Sequence, residues 1–289
     1  MSKISATIVA DSLSPQGDRL TSVLVTFPRI ILSEINTHRM LSKNTSSSRA
    51  IPFKKMVETV ENNPFIPIAW QKHHSGMQGI EYFTDEKDIY RVEQVWRDAR
   101  RRAIDVAKDL HSSKVTKQLC NRLLEPFMWT TMLITGPKSG WDNFFHLRNP
   151  DYEVFTLSGL YNVKSCKEAR EVALYPDEFK TFEIALQHNK GQAEIHIMDL
   201  AEKIYDEYQN SVPLQLKENQ WHIPFGDKIN ELYPDLTLEE QIKISVGMAA
   251  NTSYTLVGDG SIINLDKATR IHDKCKELNH SSVFEHCAR

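Results

Sequence analysis

From Asp88 to Leu110 the apolar residues fall at Ile89, Val92, Trp96, Ala99, Ala103, Val106 and Leu110. That is helical spacing sustained over about six turns. A helix of this length carries an apolar stripe that it cannot bury by itself, so the chain must supply another layer for it to pack on. Arg97, Arg100, Arg101 and Arg102 lie largely on its other faces. They are read as a solvated face, although an Arg run is also able to touch a phosphate.

The other layer is legible near the N-terminus. Residues 4–10 and 20–32 alternate or run apolar around the turn-forming SPQGD, the pattern of a β-hairpin. The second strand, TSVLVTF, leads past Pro28 into a short helix, RIILSEIN. The segment 62–79, rich in Pro, His and Gly, reads as an ordered loop, and 114–124 as a helix closed by Pro126. WTTMLITG has the look of a buried strand, and WDNFFHLR that of a short helix or turn. Helices are expected at 191–210, at 238–250 with the capping box Thr237–Glu240, and at LDKATRIHDKCKELN. Residues 151–188 break this pattern with mixed polar and aromatic sequence, as an insertion does. The chain is expected to form one domain over 1–289.

Composition narrows the function. The 289 residues carry a net charge of -3, so an anionic ligand has to be held by a local cluster, not by the molecule's overall field. No run of about 18 apolar residues suggests a membrane span, and MSKISATIVADSL lacks the apolar core of a signal peptide. Cys120, Cys166, Cys275 and Cys287 have no CxxC spacing, which fits a reducing cytoplasm.

Three segments carry side chains suited to chemistry. THRMLSKNTSSSR places His38, Arg39, Lys43 and Arg49 among short hydroxyls directly after an apolar strand–helix unit. Arg clamps phosphate through paired hydrogen bonds, and Ser with backbone amides fills the remaining acceptor sites; an exposed polar loop is the plainer account, against which its place after a rigid strand–helix unit weighs. NFFHLR sets Asn143 and Arg148 beside aromatics; a core helix with polar ends is the plainer account. HSSVFEH contains His280, Glu285 and His286. It reads either as a helix start, with Ser282–Glu285 as a capping box, or as a metal site of two His and a carboxylate, although the spacing is not HExxH.

Together these segments resemble the flavin-dependent thymidylate synthases, the ThyX family. The family signature RHRxxSxNExSxR is matched at His38, Arg39, Ser42, Asn44, Ser47 and Arg49, and departs at Thr37 and Thr45. The NFxxLR segment corresponds to Asn143–Arg148, and an AQxEI helix to 191–195. Pieces similar to the family's ARVSF and HxxPFEH segments, Ala250-Asn-Thr-Ser253-Tyr and 280–286, follow the signature here instead of preceding it, so the resemblance is circularly permuted. It implies an α+β fold, a mostly antiparallel sheet flanked by helices, with FAD against His38, Arg39, Asn143, Ser253, Ser282 and Glu285. It also implies a pyrimidine nucleotide against Glu34, Ser47, Ser48 and Arg49, with Lys117 as a further basic contact and Arg148 on the ring.

The implied reaction moves a one-carbon unit from methylenetetrahydrofolate to C5 of dUMP, with NADPH as reductant, in a homotetramer with shared active sites. Neither membrane nor nucleic acid is an expected partner. Hydroxymethylation of dUMP or dCMP, nucleotide or flavin binding without turnover, and a metal-dependent hydrolase are the alternatives.

Overall fold

In the computed structural model, residues 3–75, 79, 81–252 and 261–289 are described. Strands β1 (Ser5–Leu13) and β2 (Arg19–Pro28) form the expected hairpin, with a register shift between Ile8 and Ala10. Ser14 Oγ accepts from the amides of Gln16 and Asp18 in the turn, and Gly17 takes the left-handed φ of +92° that glycine tolerates best. After Pro28 a 3-10 turn leads into α1 (Leu32–Asn36), and the polar motif contains a short strand, β3 (Ser42–Thr45). Then come α2 (Phe53–Asn62), α3 (Glu86–Ser112), α4 (Lys117–Arg122), β4 (Trp129–Pro137) and α5 (Lys138–Arg148). The remainder comprises β5 (Tyr152–Thr156), β6 (Gly159–Val163), α6 (Cys166–Val172), α7 (Phe182–Ala185), α8 (Ile195–Asn210), β7 (Leu214–Gln215), α9 (Gly226–Leu232), α10 (Leu238–Thr252) and α11 (Leu265–Glu277).

The main sheet runs β3-β4-β2-β1-β7 and is antiparallel except for the β1–β7 pair. Alternation along the strands assigns its two faces. Val23, Val25, Phe27, Met132 and Ile134 pack on α5 and α8 through Trp141, Phe144, Ile197 and Leu200. Leu24 and Leu133 face Ile244, Met248, Ala268 and Val283 from α10, α11 and the C-terminal turn. The fold is therefore α+β, with helices on both sides of a mostly antiparallel sheet. No described helix is long and apolar enough to cross a membrane.

Several boundaries differ from the sequence reading, each for a local reason. The long helix forms, but its face has drifted: Ile104 and Ala107 are buried while Ala99 and Val106 point outward. The partner it packs on, Met56, Val57, Val60 and Phe127, determines the buried stripe. Its arginines divide: Arg101 and Arg102 are exposed and Arg97 pairs with Glu93, whereas Arg100 is half-buried against α2 and donates to the Val60 and Glu61 carbonyls, because the drifted stripe turns it towards that helix. The next helix starts at Lys117, not 114, because Lys114 has a φ of 66° and Thr116 Oγ1 caps the Gln118 amide. Likewise α8 starts at Ile195, where the Glu194 carboxylate accepts from the amides of His196 and Ile197. The Thr237–Glu240 capping box forms in both directions. The proposed Ser282–Glu285 box does not: Ser281–Phe284 is a 3-10 turn without a side-chain cap. Residues 151–188 fold around Tyr152, Val154, Cys166, Ala169 and Phe179. Glu202 on α8 anchors them, accepting from Tyr152 Oη and the Cys166 amide, each at 2.8 Å.

Candidate functional site

The site is built on β3, the edge strand of the main sheet. Before it, Thr37 closes α1 by donating to the Glu34 carbonyl at 2.6 Å. Leu41 then plugs the motif into the core beside Gly136 of β4, where a Cβ would lie 2.3 Å from Leu41 Cδ2. This fit directs His38 inward against α5.

His38 is buried, with the edge of the Phe144 ring 4.9 Å away between centroids. Arg148 Nε donates to His38 Nε2 at 3.0 Å, and Arg148 Nη2 to Thr37 Oγ1 at 3.4 Å. Lys43 Nζ donates to the His38 carbonyl. Burial, then the charges of Arg148 and Lys43, push the His38 pKa down to about 4. The ring is therefore neutral at pH 7, and because Nε2 accepts, its proton sits on Nδ1. Phe144 and Arg148 share a helix face at i,i+4, which is why one residue shapes the His38 niche and the other fills its polar end.

Thr37 now has an account. It stands where the ThyX signature has Arg, and here its hydroxyl receives Arg148; a cation at this position would crowd Arg148 and Lys43 with like charge. Thr45, in place of the signature Glu, donates to the Thr131 carbonyl within the β3–β4 pair at 3.2 Å.

At the other end of β3, the loop 46–51 turns sharply, with the Ala50 amide on the Ser47 carbonyl. The Ser48 hydroxyl is buried and donates to Glu125, while Asn121 Nδ2 holds the Ser48 carbonyl at 2.7 Å. Ser47 is half-buried and Arg49 exposed. Lys117 Nζ reaches the Ala50 carbonyl at 3.1 Å, which brings it to the same loop. Strand β3, about 13 Å long at roughly 3.3 Å per residue, lies between this loop and the turn that carries His38.

The C-terminal segments reach β3 from the opposite face. Asn44 Nδ2 donates to the Ala249 carbonyl at 3.3 Å, tying β3 to the end of α10, and Oδ1 of Asn44 is buried without a partner among the described residues. The turn Ser281–Phe284 also packs on β3, with Val283 buried and Ser282 and Glu285 exposed. Ser253 lies outside the described residues.

The fold thus gathers 37–49, 143–148 and 280–286 around one strand edge. Arg148, His38 and Thr37 are in direct contact; Ser47, Ser48, Arg49 and Lys117 form a second group. Arg39 and Asn143 are exposed, and Glu34 is half-buried and accepts from Ser33. The proposed zinc set does not assemble: His280 is exposed, His286 is bound to Thr135, and no metal-competent group occurs among the described residues. Sequence reading missed β3 as a strand. It also missed Lys43 and Thr37 as partners of His38 and Arg148, contacts that no local pattern signals.

The His38 niche predicts a pH effect. A pKa held below its ordinary value contributes stability that is complete above about pH 6.5 and is lost as pH falls towards 4. Between these limits the unfolding free energy of the wild type is expected to fall more steeply than that of His38→Gln, by up to about 1.4 kcal/mol per pH unit. Urea titrations at pH 7, 6 and 5 measure this, and parallel slopes refute the neutral-ring assignment.

No protein-family model and no curated protein matches the chain. Among solved structures, it is similar to the UMP/dUMP methylase PolB from Streptomyces cacaoi bound with 5-Br dUMP. That match has a TM-score of 0.50 at 13% identity, and covers 74% of this chain and 92% of the other. A weaker similarity, with a TM-score of 0.31 at 15% identity over 65% of this chain and 67% of the other, is to flavin-dependent thymidylate synthase ThyX from Helicobacter pylori complexed with FAD and dUMP. At 13% identity, what the chain shares with PolB is the fold.

Proposed function

We propose that the protein is a flavin-dependent enzyme of ThyX type that transfers a one-carbon unit from methylenetetrahydrofolate to C5 of dUMP, with NADPH as reductant. The observation that carries this reading is the Arg148–His38–Thr37 contact beside β3, which joins two motif segments about a hundred residues apart in the chain. The fold shared with a UMP/dUMP methylase supports it.

The residues at β3 fit an FAD. Among the described residues, the exposed Arg39 and Arg49 have no ion-pair partner and the buried Asn44 Oδ1 has no donor. A dinucleotide supplies anionic phosphates for the first and N–H groups for the second. Arg39, Asn143, Ser253, Ser282 and Glu285 would hold it; Ser47, Arg49 and Lys117 would hold the nucleotide phosphate. The bound flavin supplies the hydride and mediates the methylene transfer.

The protein's own part is electrostatic. C5 of uracil becomes nucleophilic as negative charge develops on the ring nitrogen and carbonyl oxygens. Arg148, with Nε fixed by neutral His38 and Nη2 by Thr37, presents its remaining donors to that charge. His38 is a positioning residue in this account. Were it protonated, it would lose its acceptor and repel the guanidinium.

The open edge of β3 and the exposed Arg39, Arg49 and Glu285 suit a site completed by another subunit, in a homotetramer. The C-terminal position of the permuted segments is no obstacle, because α10 and the terminal turn pack back onto the motif strand.

Incubation with dUMP or dCMP, the folate and NADPH, read by product mass, tests the proposal. A gain of CH2 on dUMP is the expected result, from protein that carries yellow flavin. A gain of CH2O reassigns the outcome to hydroxymethylation, and tight flavin without product reassigns the protein to binding alone. Colourless protein containing zinc sinks both enzymatic readings.

A further inference from the structure

Two segments carry none of the family motifs, the loop 62–85 and the insertion 151–188, and they meet in the fold. Phe182 and Leu186 of the insertion share an apolar cluster with Ile68, Ala69 and Tyr82 of the loop, on Ile195 and Met198 of α8. Between the two segments and the first turns of α3 lies a cavity of about 640 Å³. Small-molecule sites run from about 300 to 1,000 Å³, so this one has room for a ligand.

Its walls are held by bonds of the protein itself. His196, at the start of α8, accepts the Ile68 amide on Nε2 at 3.2 Å, and its Nδ1 lies 2.5 Å from Glu194. The loop then closes on itself: the Phe83 amide donates to the Trp70 carbonyl and the Lys72 amide to the Glu81 carbonyl, each at 2.8 Å. The Trp70 ring meets the Trp96 ring of α3 edge to face, with centroids 6.1 Å apart. On the insertion side, Thr181 Oγ1 caps α7 by accepting the Ile184 amide at 3.4 Å. A cavity held in this way loses little freedom when it is filled.

The lining selects the chemistry of the ligand. Ile68, Trp70, Tyr82, Phe83, Ile184 and Leu186 supply apolar and aromatic surface. No Lys, Arg or His lines the cavity, and its two charged groups are both carboxylates, Glu93 and Glu183. Glu93 is neutralised by Arg97 at 2.6 Å, whereas Glu183 has no ion-pair partner among the described residues. Burial, and then the negative charge of Glu194, push the Tyr82 pKa up, so its ring stays a neutral phenol. A phosphate or carboxylate finds no cation here. A positive group finds aromatic rings, which attract cations, and a free carboxylate at the mouth, where Glu183 and Ile184 are exposed.

We propose that this cavity binds a small organic cation, an amine or quaternary ammonium carried on an apolar or aromatic body. The body packs among Ile68, Trp70, Tyr82 and Phe83, and the positive group lies towards Glu183. The site is separate from the residues assigned to chemistry at β3 and does not depend on the reaction proposed for them.

Calorimetric titration with benzyltrimethylammonium and with phenylmethanesulfonate, two probes of one shape and opposite charge, tests the site. The wild type is expected to bind the ammonium about tenfold more tightly than the sulfonate. Glu183→Gln should abolish that preference. Ile184→Lys places a cation at the mouth and should weaken the ammonium about tenfold. Both positions are exposed, Ile184 by 44%, so the urea midpoint should not move and loss of binding cannot come from misfolding. Absence of ammonium binding, equal affinity for the two probes, a preference retained in Glu183→Gln, or ammonium affinity unchanged in Ile184→Lys each overturns the proposal.

Discussion

Arg148→Ala is expected to lower turnover about 100- to 1,000-fold, the range for removing one preorganised donor from developing negative charge. The guanidinium is held at two points, by neutral His38 and by Thr37, so its orientation costs little at the moment of reaction. Truncation leaves the Phe144 niche intact, because His38 retains its ring contact and the Lys43 bond to its carbonyl. Bound flavin, read from absorbance released on denaturation, should therefore survive in Arg148→Ala. His38→Ala is a different perturbation. It empties a buried position, releases Arg148 Nε and removes the edge contact to Phe144, so both turnover and flavin content should fall. If the two variants lose flavin equally, the separate roles assigned to the two residues are wrong.

Trp141→Ala is expected to cost about 3–5 kcal/mol of stability, the usual range for deleting a large aromatic from a packed core. The indole is fully buried, lies about 6 Å between centroids from both Phe144 and Phe145, and donates from Nε1 to the Thr21 carbonyl at 3.3 Å. Its removal leaves a cavity between α5 and the sheet, and α5 is the helix that carries Arg148. Urea unfolding monitored by helical signal measures the loss, and a cost below about 1 kcal/mol would show that α5 does not rely on this anchor. Any activity remaining in the variant at low temperature should show a raised KM or lowered kcat without a change in reaction products. The indole touches none of the residues assigned to chemistry except through Phe144.

Particular elements show where sequence reading succeeds. The hairpin was legible because alternation and a Pro-Gln-Gly-Asp turn are both local signals. The Thr237–Glu240 cap was legible because its partners are three residues apart. The same rule applied at Ser282–Glu285 failed, since burial of Val283 and the pull of His286 into the sheet impose a 3-10 turn. In the long helix the period was right and the phase was not, because the stripe that is buried depends on where α2 lies. Strand β3 was hidden because a polar four-residue edge strand has no apolar alternation. It exists through its pairing with β4, ninety residues away in the chain.

The sequence by itself determined which residues are capable of chemistry, and the signature, NFFHLR and HSSVFEH segments carried that information through local type and spacing. Only the tertiary structure decided how they combine. It set Thr37 under Arg148, committed the Ser48 hydroxyl to Glu125, drew Lys117 to the motif loop and joined two distant histidines through Ser22 and Thr135. The physical reason is the range of the forces. Turn, cap and periodicity preferences act over a few residues, whereas strand pairing and burial bring together groups up to about two hundred residues apart and assign each polar atom its partner.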